Sequence, residues 1–220
     1  MSKENIPIVA STGAASLLIN GVTFNSYFGL GILTGGVNAT VLSAMASRSV
    51  CERIVYTDTI IIDEISMISG ETFTAANLLC QKVRQNKKPF GGIRVIAVGD
   101  FLQLGPYSDN DSTDWVFECD SWKNSKIKKV ELTTIMRTKD KKFLEVLAKV
   151  RYGKIDAAVK NFLMKRTIKK DMADFEGPRI FSRNHQVDTF NHQKLSEIQS
   201  QLVSSKTLYV GDDAAELKKI

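Results

Sequence analysis

Residues 59–64 have the sequence Thr-Ile-Ile-Ile-Asp-Glu, an apolar β-branched run that ends in two adjacent carboxylates, Asp63 and Glu64. Such a run predicts a strand that is buried on both faces of a parallel sheet. Ligands of open α/β sheets bind at the carboxyl ends of the strands. Asp63 is therefore placed to hold Mg²⁺ beside a nucleotide, and Glu64 to deprotonate an attacking water. On these six residues alone, the alternative is a strand followed by a solvated acidic turn.

A second predicted strand, Arg94–Val98, also ends in polar residues. It is followed by Gly-Asp-Phe-Leu-Gln-Leu at residues 99–104. Gln103 could contact a γ-phosphate or the attacking water, and Asp100 could help to order the metal shell. Two strands with polar carboxyl ends are harder to explain as chance than one, so this segment favours a nucleotide site.

Two further segments carry groups that suit phosphate or DNA. Ser11, Thr12 and Gly13 follow a predicted strand at 6–10, and hydroxyls and backbone N–H groups at a helix start bind phosphate. Residues 24–28, Phe-Asn-Ser-Tyr-Phe, offer aromatic faces on which bases could stack, although these rings fit a hydrophobic core equally well. Arg137 follows a predicted strand at 128–132 and could be an arginine finger, but an ordinary surface arginine is the alternative.

The remaining pattern alternates strands with amphipathic helices, which predicts an α/β fold with a mainly parallel sheet. Residues 29–38 contain four glycines and predict a loop. A short strand is also predicted at 179–182. Helices are predicted at 41–53, 71–85 and 140–151, and from about His185.

Composition narrows the classes of function. The net charge of +6 suits a polyanionic partner such as nucleic acid. No apolar run reaches the roughly 18–20 residues that span a bilayer, so we expect a soluble, intracellular protein without a membrane partner. The sequence is equally compatible with a location in the nucleus, the mitochondrion, the bacterial cytoplasm or a virus-infected cell. The three separated cysteines predict reduced thiols, and His185 and His192 lack the partners of a zinc site.

In this order along the chain, five motifs resemble the Pif family of superfamily-1 helicases, which are RecD-like and translocate 5′ to 3′ on single-stranded DNA. The motifs are Ser-Thr-Gly-Ala-Ala (11–15), Asp-Glu-Ile-Ser-Met (63–67), Lys-Pro-Phe-Gly-Gly (88–92), Gly-Asp-Phe-Leu-Gln-Leu (99–104) and Leu-Thr-Thr-Ile-Met-Arg (132–137). Residues 65–85 are also similar to the signature stretch of that family. The resemblance implies a P-loop NTPase (RecA-like) fold and the use of ATP and Mg²⁺.

The resemblance also implies roles for individual residues. Asp63 and Glu64 become the Walker B pair, Gln103 the γ-phosphate sensor and Arg137 the finger from the second motor domain. The DNA-facing positions it implies are Ser11, Thr12, Gly13, Phe24 and Ser26. Three details depart from the family: Asn25 stands where a histidine is usual, Gly105-Pro106 stands where the family has Pro-Pro after the motif at 99–104, and Met136-Arg137-Thr138 replaces Phe-Arg-Gln.

By the same resemblance, residues 1–118 form most of the first RecA-like motor domain, 119–133 a connecting segment and 134–220 the beginning of the second. The phosphate-binding pattern G-x-x-x-x-G-K-[ST] does not occur in the 220 residues. We therefore expect an incomplete ATP-dependent DNA helicase that is weak or inactive alone. A partial gene, a degenerate copy and a split gene whose second chain supplies the loop are open hypotheses.

The family's activity would be ATP-driven 5′-to-3′ unwinding in DNA repair, recombination and telomere maintenance. Three other readings of the sequence stay open. The chain could be a non-catalytic module that binds single-stranded nucleic acid through its lysines. It could dock onto a helicase through an open sheet edge. It could also belong to another phosphoryl-transfer enzyme with this nucleotide fold.

Overall fold

Four short strands form one parallel sheet, as the sequence predicts. The computed structural model describes residues 6–108, 112–167, 177–200, 203 and 205. The strands are β1 (Ile8–Ala10), β2 (Val22–Thr23), β3 (Thr59–Asp63) and β4 (Arg94–Ala97), in the order β2-β1-β3-β4. β3 pairs with β1 and with β4, and all pairings are parallel. The carboxyl ends of the strands, and the segments that follow them, therefore meet at one edge of the sheet.

Nine α-helices connect or follow these strands in the described residues. They are α1 (Gly13–Leu18), α2 (Phe24–Phe28), α3 (Gly36–Ala46), α4 (Arg48–Val55), α5 (Gly70–Val83), α6 (Asp120–Ser125), α7 (Lys141–Arg151), α8 (Ala157–Met164) and α9 (Asn184–Ser196). None of the helices described is long and apolar enough to cross a membrane. Residues 1–165 form one unit, which contains the sheet, and residues 166–220 form another, which contains α9.

One face of the sheet carries the core of the first unit. Ile60 and Ile62 of β3 are fully buried, whereas Ile61 between them is only partly buried. The core also holds an aromatic row in which Phe73 lies 4.9 Å and Phe28 6.4 Å, centroid to centroid, from Phe90. The expectation that β3 is buried on both faces is therefore wrong in the described residues, because full burial is confined to one face.

The predicted strand at 94–98 is present as β4, but it is not buried. Ile96 is 37% exposed and Val98 is 47% exposed. In the described residues β4 pairs only with β3, and its other edge borders a groove of about 470 Å³. The far wall of that groove includes Ile127, Lys128 and Val130. The strand predicted at 128–132 is absent because a strand needs a hydrogen-bonded neighbour, and the groove separates this segment from β4.

Local capping explains the other differences from the sequence prediction. The helix predicted at 41–53 is two helices, because Ser47 is extended (φ −84°, ψ 108°) and its hydroxyl accepts the Val50 N–H to start α4. The glycine-rich loop ends earlier than predicted, at α3. No strand forms at 179–182, where the described backbone is irregular. The helices predicted at 71–85 and 140–151, and from about His185, are confirmed as α5, α7 and α9.

The buried thiol of Cys80 on α5 gives a chemical test of this core. Burial raises the pKa of Cys80 from 9.0 to about 12, whereas Cys51 and Cys119 are partly exposed. We expect a thiol reagent at pH 8 to modify Cys51 and Cys119 in the folded chain and Cys80 only after unfolding, as measured by mass spectrometry. The pKa of Cys80 is higher in the folded chain than in the unfolded chain. The contribution of its neutral thiol to the free energy of unfolding should therefore be fully present below pH 9 and be lost between pH 9 and about 12. Rapid labelling of Cys80 in the folded chain would contradict this packing.

Candidate active site

Three of the residues predicted to be functional line one cleft at the carboxyl edge of the sheet. Thr12 follows β1, Glu64 follows β3 and Gln103 follows β4, and all three border an open cleft of about 680 Å³. The remaining lining residues, which the sequence analysis did not assign to the site, are Ala15, Ser66, Met67, Leu102 and Leu104. The cleft thus combines one carboxylate, one amide and hydroxyl groups with an apolar wall.

A tight turn after β3 fixes the position of Glu64. Glu64 has left-handed backbone angles (φ 52°, ψ 45°), which are unfavourable for a residue with a Cβ. The next residue, Ile65, donates its N–H to the Val98 carbonyl at 3.0 Å. A Cβ at Gly99 would lie only 2.9 Å from Ile65 Cγ2 and 3.0 Å from its backbone nitrogen, so glycine is required there. The turns after β3 and β4 are therefore packed directly against each other.

Asp63 lies at the last position of β3, and its Oδ1 accepts the backbone N–H of Glu64 at 3.0 Å. The described residues contain no group of three or more His, Cys, Asp or Glu side chains that could hold a metal ion. Nucleotide-bound Mg²⁺ commonly takes only one or two protein carboxylates and completes its shell with phosphate and water. Asp63 is not among the residues that line the cleft, and its role as a Mg²⁺ ligand remains a prediction.

The segment after β4 is organised by the Asp100 carboxylate. Asp100 Oδ1 accepts the Leu102 N–H at 3.0 Å, and Oδ2 accepts the side-chain amide of Gln103 at 3.1 Å. Arg151 of α7 also donates to Oδ1 at 3.0 Å. Asp100 thus accepts three hydrogen bonds from protein groups, and its role in ordering the metal shell remains a prediction.

A cluster of aromatic side chains packs against the segment after β4. Phe101 makes edge-on contacts with Trp115, Phe117 and Trp122 at centroid distances of 6.4, 5.0 and 5.9 Å. Gly105 lies against the Trp115 indole so closely that a Cβ would come within 2.7 Å of it. The backbone that carries Gln103 is thus held between two packed aromatic contacts, and the two tryptophans can report on its conformation.

The predicted DNA-facing residues differ in their accessibility. Gly13 and Ser26 are exposed, and Thr12 caps α1 by accepting the Ala15 N–H at 3.2 Å. Phe24 is fully buried, so its predicted stacking on a base is wrong for this conformation, and the ring belongs to the core. The Ser11 hydroxyl is also buried, which excludes a direct DNA contact by that oxygen in the observed state.

Two buried hydroxyl oxygens near the ends of β1 and β3, Ser11 Oγ and Ser66 Oγ, have no hydrogen-bond partner among the described residues. Unpartnered buried polar atoms are uncommon, and each needs a physical explanation. Ser66 borders the cleft, but its Oγ is buried like that of Ser11, so neither oxygen is open to a ligand in the observed state. No sequence pattern singles out Ser66, because an isolated serine after an acidic pair has many ordinary uses.

Arg137 is exposed in the irregular segment between α6 and α7 and is not among the residues that line the cleft. Arg151, in contrast, reaches the segment after β4 and was not singled out from the sequence. No local pattern could have identified it, since the arginine and Asp100 are 51 positions apart. The finger role of Arg137 remains a prediction.

Comparison with known proteins identifies relatives across most of the chain. Residues 1–161 match the PIF1-like helicase family. The chain is 41% identical over 213 residues to the ATP-dependent DNA helicase Pif1 of Bdellovibrio bacteriovorus, covering 97% of this chain and 48% of that protein. It is 31% identical over 218 residues to the ATP-dependent DNA helicase RRM3 of Saccharomyces cerevisiae, covering 97% of this chain and 30% of that protein. The chain thus spans about half the length, or less, of these relatives.

Solved structures agree with these sequence matches. The Pif1 helicase of Candida albicans superimposes with a TM-score of 0.80 at 30% identity, covering 91% of this chain and 46% of that one. The Pif1 helicase of Bacteroides, in complex with ADP-AlF3 and single-stranded DNA, gives a TM-score of 0.77 at 27% identity, covering 91% and 49%. Fold, order of motifs and sequence agree, and the chain belongs to the PIF1-like helicase family.

Proposed function

We propose that this chain is the part of an ATP-dependent DNA helicase motor that couples ATP hydrolysis to single-stranded DNA. The observation that carries the proposal is that Thr12, Glu64 and Gln103, from three different strand ends, line one cleft. The Bacteroides relative binds a nucleotide analogue and single-stranded DNA together, which supports ATP and DNA as ligands here. Travel from 5′ to 3′ and roles in DNA repair, recombination and telomere maintenance follow from the family resemblance.

In this proposal each polar residue of the site has one task. Glu64 accepts a proton from the attacking water, and Gln103 orients that water against the γ-phosphate. Asp63 would hold Mg²⁺, and the ion would supply positive charge beside the phosphoryl oxygens when bound. Arg137 reaches the same phosphoryl group when the two motor domains close, and so adds a positive charge.

We retain the functional division into residues 1–118, 119–133 and 134–220 as part of this proposal. The division follows the motifs: the acidic pair and the glutamine sensor belong to the first motor domain, and Arg137 to the beginning of the second. The salt bridge between Arg151 and Asp100 joins α7 to the segment after β4 without changing that assignment of roles.

The first experiment measures ATP hydrolysis by the 220-residue chain with Mg²⁺, with and without single-stranded DNA. The same assay is then made on the chain extended at its N-terminus by the corresponding segment of the Bdellovibrio relative. We expect little turnover by the chain alone, since it contains no G-x-x-x-x-G-K-[ST] loop, and DNA-stimulated turnover by the extended chain. An extended chain that binds ATP and DNA without turnover would overturn the helicase proposal and favour a nucleic-acid-binding module.

DNA binding can be tested at the exposed Ser26, at the start of α2. We expect Ser26→Asp to weaken binding of a fluorescent single-stranded oligonucleotide by about tenfold at low salt, because a carboxylate there repels the phosphate backbone. The matched control is Ser43→Asp, which adds the same charge at an exposed position of α3. Equal affinities of the two variants, measured by anisotropy over a salt series, would remove Ser26 from the DNA path.

The free edge of β4 favours a second candidate function, docking onto another chain. This edge and the 470 Å³ groove beside it provide unpaired backbone next to the apolar side chains of Phe90, Ile93 and Val130. We infer that a separate chain that supplies the phosphate-binding loop would add its strand at this edge, because the groove beside β4 leaves room for it. In the test, the N-terminal segment of the Bdellovibrio relative is supplied as a separate peptide. DNA-stimulated ATP hydrolysis in the mixture would support docking, and no binding of the peptide would exclude it.

A further inference from the structure

The Asp100 carboxylate connects an arginine of α7 to the glutamine in the cleft. Arg151 Nη2 lies 3.0 Å from Asp100 Oδ1, and Gln103 Nε2 lies 3.1 Å from Oδ2. The Asp100 side chain is only 19% exposed, and the Arg151 side chain is 47% exposed. A half-shielded arginine–carboxylate bond of this length is directional and stronger than a neutral hydrogen bond.

This connection decides which way the Gln103 amide is turned. A carboxylate accepts hydrogen bonds and cannot donate them, so the NH₂ group of Gln103 must face Asp100. Its carbonyl oxygen is then turned away from Asp100 and can accept a hydrogen from a water in the cleft. Without the guanidinium, Asp100 Oδ1 would keep only the Leu102 N–H as a donor among the described residues, so the carboxylate would be held less firmly and the Gln103 amide would gain rotational freedom.

We propose that Arg151 is a positioning residue that sets the orientation of the Gln103 side chain through Asp100. The inference rests on the proposed function, since it assigns Arg151 to the same cleft. Arg151 lies 14 positions after Arg137 in the sequence and is the last residue of α7, the helix that follows Arg137. A movement of α7 would therefore change the orientation of the Gln103 side chain through the ion pair between Arg151 and Asp100.

The direct test is made on the 220-residue chain and needs no catalysis. The side-chain amide signal of Gln103 is identified in a ¹⁵N-labelled sample by its loss in Gln103→Ala. We expect Arg151→Gln to shift this signal and to speed its exchange with water. The control Lys149→Gln removes the same charge from the same last turn of α7, where Lys149 pairs with Asp156 at 2.6 Å, and should leave the signal unchanged. Changes confined to the α7 backbone signals would assign Arg151 a merely structural role and overturn the proposal.

The functional test uses the chain extended by the Bdellovibrio segment. We expect Arg151→Gln to lower kcat for ATP by about tenfold with little change in KM, because the arginine acts on orientation and not on nucleotide affinity. Asp100→Asn should cause a similar loss, and the double variant should be no worse than either single variant. Additive losses would overturn the proposal. If the unmodified extended chain shows no turnover, the proposed function fails, while the Gln103 amide signal still decides the role of Arg151.

Discussion

Replacing Glu64 with glutamine in the loop-extended chain is expected to lower DNA-stimulated ATP turnover by about 10²–10⁴-fold, the usual contribution of a general base. The turn after β3 places this carboxylate in the cleft, and glutamine keeps its size but cannot take up the proton of the attacking water. ATP binding should persist, because the substitution removes a negative charge beside the phosphates. Phosphate release and the binding of a fluorescent ATP analogue measure the two effects separately.

The control for this experiment is Glu71→Gln, which changes an exposed glutamate in the first turn of α5. It should leave both turnover and binding unchanged. Turnover in Glu64→Gln that stays within a few-fold of the unmodified extended chain would mean that another group activates the water. Loss of ATP binding together with turnover would instead indicate that Glu64 supports the local fold of the turn.

The β3 segment shows how far sequence reasoning could go. In Thr59–Asp63 the β-branched side chains predict a strand, and the carboxylate of Asp63 at its end predicts a site. Fold and site were therefore predicted from the same five residues. The parallel sheet followed, because its strands alternate with helices along the chain. The polar ends of β3 and β4 were expected to converge, since the segments after parallel strands share one edge, and Glu64 and Gln103 line one cleft. Thr12 was predicted as a DNA contact, and its position in the same cleft was not expected.

The remaining differences depend on tertiary contacts that no local pattern in the sequence reveals. Phe24 lies in an aromatic run that suits either a core or a stacking surface, and only its burial beside Phe28 (4.8 Å between centroids) decides. Residues 128–132 have the composition of a strand, but a strand exists only beside a partner. The ion pair between Arg151 and Asp100 joins residues that are 51 positions apart, so no periodic pattern in the sequence indicates it.

Arg84 of the segment after α5 is another residue whose role only the structure reveals. Its Nη1 donates to the carbonyls of Ile54 (3.0 Å), Val55 (3.1 Å) and Thr57 (2.6 Å), and its Nε donates to Gly91 at 3.0 Å. These carbonyls include the end of α4, where helices leave acceptors unsatisfied. The side chain is 21% exposed, so water can replace these bonds only in part. One guanidinium therefore joins α4, the segment before β3 and the turn before β4.

We expect Arg84→Met to lower the free energy of unfolding by about 3 kcal/mol, because methionine keeps the apolar stem and leaves the four carbonyls without their charged donor. Arg84→Lys should recover only part of this loss, since one ammonium cannot reproduce the planar fork. The control Arg48→Met removes an arginine that is 91% exposed and paired with Glu52 one helical turn away, and it should change stability by about 0.5 kcal/mol or less. Urea unfolding followed by the fluorescence of Trp115 and Trp122 measures all three variants.

Similar midpoints for Arg84→Met and Arg48→Met would show that water replaces the hydrogen bonds of the Arg84 guanidinium without loss of stability. A large difference would mean that this guanidinium supports the amino ends of β3 and β4, because both strands begin beside the carbonyls that it holds.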